Sequence, residues 1–438
     1  MLRKQLGKAI VGLLFTVALA ACSGNTGSSA VGGKTGGDAA GGAAGGAAKI
    51  STEPINFLVY SNFDETSVDF DTVFVDPVKK KYPNISLKLM TSKDSKIDQL
   101  VASGQVPDII VASVLNLNVP QKLGLLTDLN PLIKKFQFDV TRIEPAILNE
   151  VKEYSNKDET YGIPYTSNFD ATYYNKDIFD KFGVPYPKDD MTWDEIVDLA
   201  KKLTREADGV QYHGLDPEKI SRVASPLEVS FVDKKTNKAT IQAWKPAYEL
   251  YNLINSIPGN QIAKDLKYNK DNFVKNQTVA MLAATNILKN LQDVPKLNWD
   301  LTTYPQYKDH KGTFGVAGAR SLSISPSVKD KDAAFQVISI VVSDEVQKEA
   351  SRNGIMSPLK SLDVQKTFGE NLAFMKGKNI PAIYKLKPSW RKISDYDDLA
   401  NPIVQTHFID ITTGKDINTI IRETEEDINA TIAKEMAK

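Results

Sequence analysis

Ile55-Asn56-Phe57-Leu58-Val59-Tyr60 is a short apolar run broken only by Asn56, with the branched and aromatic side chains of a buried strand. Ile85-Ser86-Leu87-Lys88-Leu89-Met90 reads as a second strand and Asp108-Ile109-Ile110-Val111 as a third. Between the first two, Val73 to Lys80 carries apolar residues at helical spacing and stops before Tyr82-Pro83. Before the third, a helix from Lys96 to Ser103 ends at the break Gly104 to Pro107. This alternation predicts an α/β fold, a parallel sheet with helices on its faces. Ligands of such sheets sit at the carboxyl ends of the strands. Tyr60 with the Ser61-Asn62-Phe63-Asp64 loop lies at one such end, and Ser113 to Asn116 at another.

Further along, Thr192-Trp193-Asp194-Glu195 is a capping box, followed by Ile196, Leu199, Ala200 and Leu203 at helical spacing. That helix dissolves near Gly209. Trp244-Lys245-Pro246-Ala247 starts another helix, with Tyr248, Tyr251, Leu253 and Ile254 as apolar contacts. At the C-terminus, Ile417, Ile420, Ile421, Ile428 and Ile432 share one stripe, and the charges elsewhere on that helix read as a solvated face.

Upstream of the first strand, Arg3, Lys4 and Lys8 precede an apolar stretch from Ile10 to Ala20, too short to span a bilayer and suited to a signal peptide. It ends in Leu19-Ala20-Ala21-Cys22, which resembles a lipobox and makes Cys22 the expected lipidation site; the alternative is an ordinary leader with an incidental cysteine. Ser23 to Ala48 is almost all Gly, Ala and Ser, the composition of a disordered tether with a reach of roughly 25–30 Å. The folded body then has about 390 residues, beyond the size at which one core stops growing, so two lobes are expected.

The 54 basic and 54 acidic residues balance, and cleavage before Cys22 leaves 51 against 54. That balance argues against nucleic-acid and anionic-lipid partners. A lipidated Cys22 leaves no thiol for a disulfide, metal or nucleophile, and His213, His310 and His407 are never at metal-ligand spacing. No G-x-S-x-G, Walker or dinucleotide-binding pattern occurs. Asp69-Phe70-Asp71 and Asp189-Asp190 read as surface acids, with calcium binding or a glycosidase pair as the alternatives. No cofactor and no metal are expected.

Several blocks resemble the family 1 extracellular solute-binding proteins, the maltose-binding-protein-like receptors of ABC importers. Tyr161-Gly162-Ile163-Pro164, Tyr173 to Phe179 and Phe182-Gly183-Val184 are similar to the family's first interlobe crossing. Thr192 to Glu195 with Ala200 to Thr204 is similar to its next helix. Phe273-Val274-Lys275 with Val279-Ala280-Met281 resembles its F-x-x-G-x-x-A-M segment, with Asn276 where glycine is usual. Lys329 to Glu349 resembles a later helix pair.

The resemblance implies a type II two-lobed clamp, each lobe a mainly parallel sheet flanked by helices. It implies three crossings, placed near Pro164, Phe314 to Ala317 and Met356 to Lys360. The expected organisation is a leader (1–21), a lipidated cysteine and tether (22–49), an N-terminal lobe (50–164 plus 315–357) and a C-terminal lobe (165–314 plus 358–438). It also implies a monomeric receptor, lipid-anchored outside a Gram-positive membrane. Its partners are a small-molecule ligand, foremost a sugar, and the permease subunits of an ABC importer. A surface glycosidase, an adhesin and a receptor for a non-sugar solute are the competing readings.

By position, the resemblance puts Tyr60, Asn62, Asp64, Ser113, Asn116, Thr166, Asn168 and Asp170 at the cleft. Thr285, Asn286, Gly318 and Arg320 join them, Arg320 as a forked donor. Trp193, Trp244 and Trp299 read as packing, and Trp390 as the sugar-stacking candidate. Ala112 and Ile287 stand where maltose receptors carry stacking tryptophans, which argues against maltose-type oligosaccharides.

Overall fold

The computed structural model describes residues 52–63, 67–155, 157–261 and 270–437. The expectations for the leader, Cys22, the tether and Asp64 lie outside the described residues. Among the described residues no helix is long and apolar enough to cross a membrane.

In chain order the strands are β1 (Ile55–Ser61), β2 (Ile85–Thr91), β3 (Ile109–Ser113), β4 (Ile163–Thr166), β5 (Asp170–Asn175), β6 (Arg205–Ala207) and β7 (Val210–Asp216). They continue with β8 (Val232–Asp233), β9 (Lys238–Ala239), β10 (Val279–Thr285), β11 (Trp299–Thr303), β12 (Thr313–Val316), β13 (Arg320–Ile324) and β14 (Lys387–Ser389). Two five-stranded sheets result, ordered β2-β1-β3-β13-β4 and β11-β5-β10-β7-β6. In the first, β2, β1, β3 and β4 share a direction and only β13 opposes its neighbours. The second is mixed: β10 and β7 are parallel, while β5 opposes β10 and β11, and β6 opposes β7. Two causes are visible. β5 and β13 each arrive from the other lobe and enter their new sheet antiparallel to a neighbour. β6 and β7 form a hairpin on Asp208-Gly209, both at positive φ (53° and 73°), the backbone of a tight two-residue turn.

The expected α/β clamp is thus present, built from two lobes. Residues 167–169 carry the chain from β4 to β5, and residues 317–319 carry it from β12 back to β13. The third passage extends beyond Met356 to Lys360. Pro358 O still accepts from Glu144 N (2.9 Å), and Lys360 N donates to Arg142 O (2.9 Å). The chain reaches β11 at Lys378, whose Nζ donates to Trp299 O (2.6 Å).

In the first lobe, helix Lys331–Val341 buries Phe335, Val337 and Ile338 on the sheet. Phe335 stacks on Phe136 with centroids 5.5 Å apart and meets Phe138 edge-on at 5.8 Å. Full burial of such a side chain stabilises the lobe by about 1.5–3 kcal/mol. In the second lobe, helix Trp193–Leu203 starts on the expected capping box, with Thr192 and Glu195 bonding each other's backbone. Helix Ile417–Met436 buries Ile420, Ile421, Ile428 and Ile432 as its stripe predicts.

The lobes meet along a seam. At one lip Lys289 pairs with Asp69 (2.8 Å). At the other, Lys387 pairs with Glu144 (3.1 Å), and Asn118 donates to Asp398.

Candidate ligand-binding site

A cavity of about 360 Å³ lies on this seam. Leu115 and Asn116, just past β3, wall it from the first lobe. Asn168 comes from the first passage, and Val316 to Gly318 from the second. Opposite stand Ser221, Arg222 and Ser225 around helix Ile220–Ala224, with Phe231, Trp244, Thr285, Arg391, Asp397 and Asp398. The backbone must come very close here. Gly315 adopts φ +99°, and a Cβ at that position would overlap Ser225, whose Oγ accepts from Val316 N (2.8 Å).

Two guanidinium groups dominate the wall, each held in place. Arg222 Nη1 donates to Asp170 (3.0 Å), and its Nε lies 3.5 Å from Glu218. Burial alone would lower the Arg222 pKa, but the Asp170 and Glu218 carboxylates outweigh it and keep the group charged. Burial pushes Asp170 up to about 6, with Arg222 opposing the rise, so the pair is ionised at neutral pH. Arg391 lies over the Phe231 ring (4.9 Å) and pairs with Asp397. Phe231 in turn packs on Trp244, centroids 4.6 Å apart, and Trp244 Nε1 donates to Ser230 O (2.8 Å). Planar donors, carboxylates, amides and an aromatic wall are the surface that polyhydroxylated rings with one apolar face require.

The residues expected at the cleft divide into groups. Asn116, Asn168, Thr285 and Gly318 lie on the cavity wall, and Asp170 stands behind it, fixing Arg222. Tyr60 and Asn62 instead line a second cavity of about 480 Å³ inside the first lobe, beside Ile97 and Val119. Ser113 caps a turn by accepting from Leu115 N (3.2 Å), and Asn286 closes a turn by accepting from Leu288 N (3.0 Å). Thr166 is buried in β4 opposite Arg320, whose guanidinium rests 3.8 Å from the Phe63 ring centroid. Trp390 is half-buried and lies on neither wall, whereas Trp244, expected only in the core, is both buried and on the cavity wall. Arg222 and Arg391 were not foreseen. The available signals were the Glu218–Arg222 spacing of four residues and a cation beside Trp390. The two acidic runs are structural ties: Asp69 joins Lys289, and Asp189 joins Thr302, Asn379 and Lys385.

The sequence pattern of the bacterial extracellular solute-binding protein family matches residues 74–375, more than half of the chain. The chain belongs to that family. A putative binding protein of Brucella abortus is 23% identical to this solute-binding protein over 284 residues, 60% of this chain and 64% of its own length. The chain thus spans less than two thirds of that relative.

Among solved structures, an ABC substrate-binding protein of Listeria monocytogenes in complex with cycloalternan superposes with a TM-score of 0.69 at 19% identity, over 87% of this chain and 100% of that one. The sugar-binding protein MalE of Xanthomonas citri gives 0.70 at 16% identity, over 87% and 98%. The family is one of solute-binding proteins, and these two structures share its fold.

Proposed function

We propose that this protein captures a carbohydrate, an oligosaccharide foremost, in the seam cavity and presents it to the permease of an ABC importer. The observation that carries the reading is the cavity wall itself, where the Arg222 and Arg391 guanidinium groups stand beside Phe231 and Trp244. Its volume of about 360 Å³ lies in the ~300–1,000 Å³ range of small-molecule sites. Asn116, Asn168, Thr285 and Gly318 complete the ligand contacts in this reading, and Asp170 positions Arg222. The sugars named with the similar structures support the ligand class. The protein works as a monomer held outside the cell by lipid on Cys22. Its lobes hinge at residues 167–169 and 317–319, and closure excludes water and strengthens each polar contact.

Calorimetric titration with linear and cyclic oligosaccharides tests the reading. The expected result is one-site binding with a rise in melting temperature and no product release. A broad glycan panel that binds nowhere overturns it. Replacing Cys22 with Ser is expected to release the protein into the medium; a variant that stays membrane-bound overturns the anchor.

A further inference from the structure

Glu150 lies on the first-lobe helix Pro145–Lys152, is fully buried, and among the described residues has no hydrogen-bond partner on either carboxylate oxygen. It belongs to a cluster. Asn118 Oδ1, the Tyr154 hydroxyl and Asp397 Oδ1 are also buried without partners among the described residues. Buried polar atoms are nearly always paired, so several orphans gathered at one place mark a functional or conformational role. The cluster straddles the lobes: Glu150, Tyr154 and Asn118 come from the first, Arg391, Asp397 and Asp398 from the second. Its second-lobe members Arg391, Asp397 and Asp398 line the ligand cavity.

We propose that Glu150 is a positioning residue for ligand capture, acting through Arg391 and taking up a proton as the seam closes. The inference rests on the reading that the lobes part and close. In the shut seam the Arg391 guanidinium is committed to Asp397 and to the Phe231 ring, which fixes it toward the cavity. It offers Glu150 attraction across space but no hydrogen bond. Burial therefore dominates and pushes the Glu150 carboxyl up to about 8. A neutral Glu150 leaves Arg391 to Asp397. With the lobes parted, water reaches Glu150 and it ionises as an ordinary carboxylic acid, so closing returns it to the seam beside Arg391 only with uptake of a proton.

The other charges around the seam do not take over this role. Beyond the end of its own helix, Glu153 pairs with Lys234 of the β8–β9 hairpin (3.8 Å). From helix Asn118–Lys122, Lys122 donates to Asp395 O (3.3 Å). On β14, Lys387 is held by Glu144. On helix Asp397–Phe408, burial raises the Asp397 carboxyl against the opposing pull of Arg391, and Asp398 accepts from Asn118.

The sign follows from the two states. Glu150 binds its proton more tightly in the closed form, so closure is unpenalised below the ordinary carboxylate value. Between that value and about 8, the closed-to-open ratio falls by about tenfold per pH unit, then levels off.

X-ray scattering of the ligand-free protein at pH 6 and pH 8.5 tests this without any solute. The wild type is expected to be more compact at pH 6, with the closed-to-open ratio reduced at least tenfold at pH 8.5. Glu150→Gln, and independently Glu150→Met should the first fold poorly, are expected to keep the compact radius at both. A wild-type radius that ignores pH, or a shift that persists in both variants, overturns the proposal. Sugar binding is not used, so failure of the carbohydrate reading leaves this result standing, and the reverse holds too.

Discussion

Asp170 and Glu150 are both buried carboxyl groups near a cavity arginine, and they end up in opposite states at neutral pH. Asp170 has the Arg222 guanidinium within hydrogen-bond distance (3.0 Å) and is ionised, with a pKa of about 6. Glu150 has Arg391 nearby but committed to Asp397, and stays protonated, with a pKa of about 8. Desolvation is the largest influence in both. The difference is a direct bond to the cation, and it separates a fixed element of the wall from a group that responds to its surroundings.

Breaking the first member should have the largest effect. Arg222→Ala strips Asp170 and Glu218 of their buried cation, and loss of one partner of a buried pair costs about 3–5 kcal/mol. Urea unfolding at pH 7.5 should show that loss. The deficit should shrink at pH 5, because Asp170 without Arg222 titrates above 6 and becomes neutral. A deficit independent of pH would mean the guanidinium acts by packing alone.

The second member should behave inversely. Glu150→Gln keeps the shape of the neutral acid and cannot ionise, so at pH 8 it should be more stable than wild type by about 1–3 kcal/mol. The raised acid adds no penalty below its unfolded value and an increasing one up to about 8. The advantage should therefore vanish at pH 4.5. Melting curves at both pH values decide it, and equal stability at pH 8 would remove the contrast with Asp170.

The smallest effect sharpens the comparison from the surface. Lys289 and Asp69 pair across the far lip with side-chain exposures of 78% and 28%, where salt screens the attraction. Lys289→Ala should cost only about 0.2–1 kcal/mol, less in high salt. A larger loss would place part of the closing force at that lip.

The strand–helix alternation and the Thr192–Glu195 box were legible because each is a local pattern settled within a few residues. Strand direction was not. β13 is antiparallel because Arg320–Ile324 returns from the other lobe to pair with Ile109–Ser113, a partner some two hundred positions away that no local period announces. The site divides along the same line. Asn116, Asn168 and Thr285 lie at or just past strand ends, where position alone is informative. Ser113 and Asn286 look the same in sequence but use their oxygens to cap their own backbone. Arg222 and Arg391 stayed hidden because a charged residue near a helix resembles a solvated one until its burial is known.

One consequence concerns Trp244. Its indole is 2% exposed, touches the cavity and packs on Phe231, which itself carries the Arg391 guanidinium. Any guest that shifts that stack alters the emission of a fluorophore the protein already contains. Trp193, Trp299 and Trp390 lie off the cavity wall and supply a steady background. Binding can therefore be followed optically on the unlabelled chain, and Trp244→Phe should silence the signal while the folded background remains.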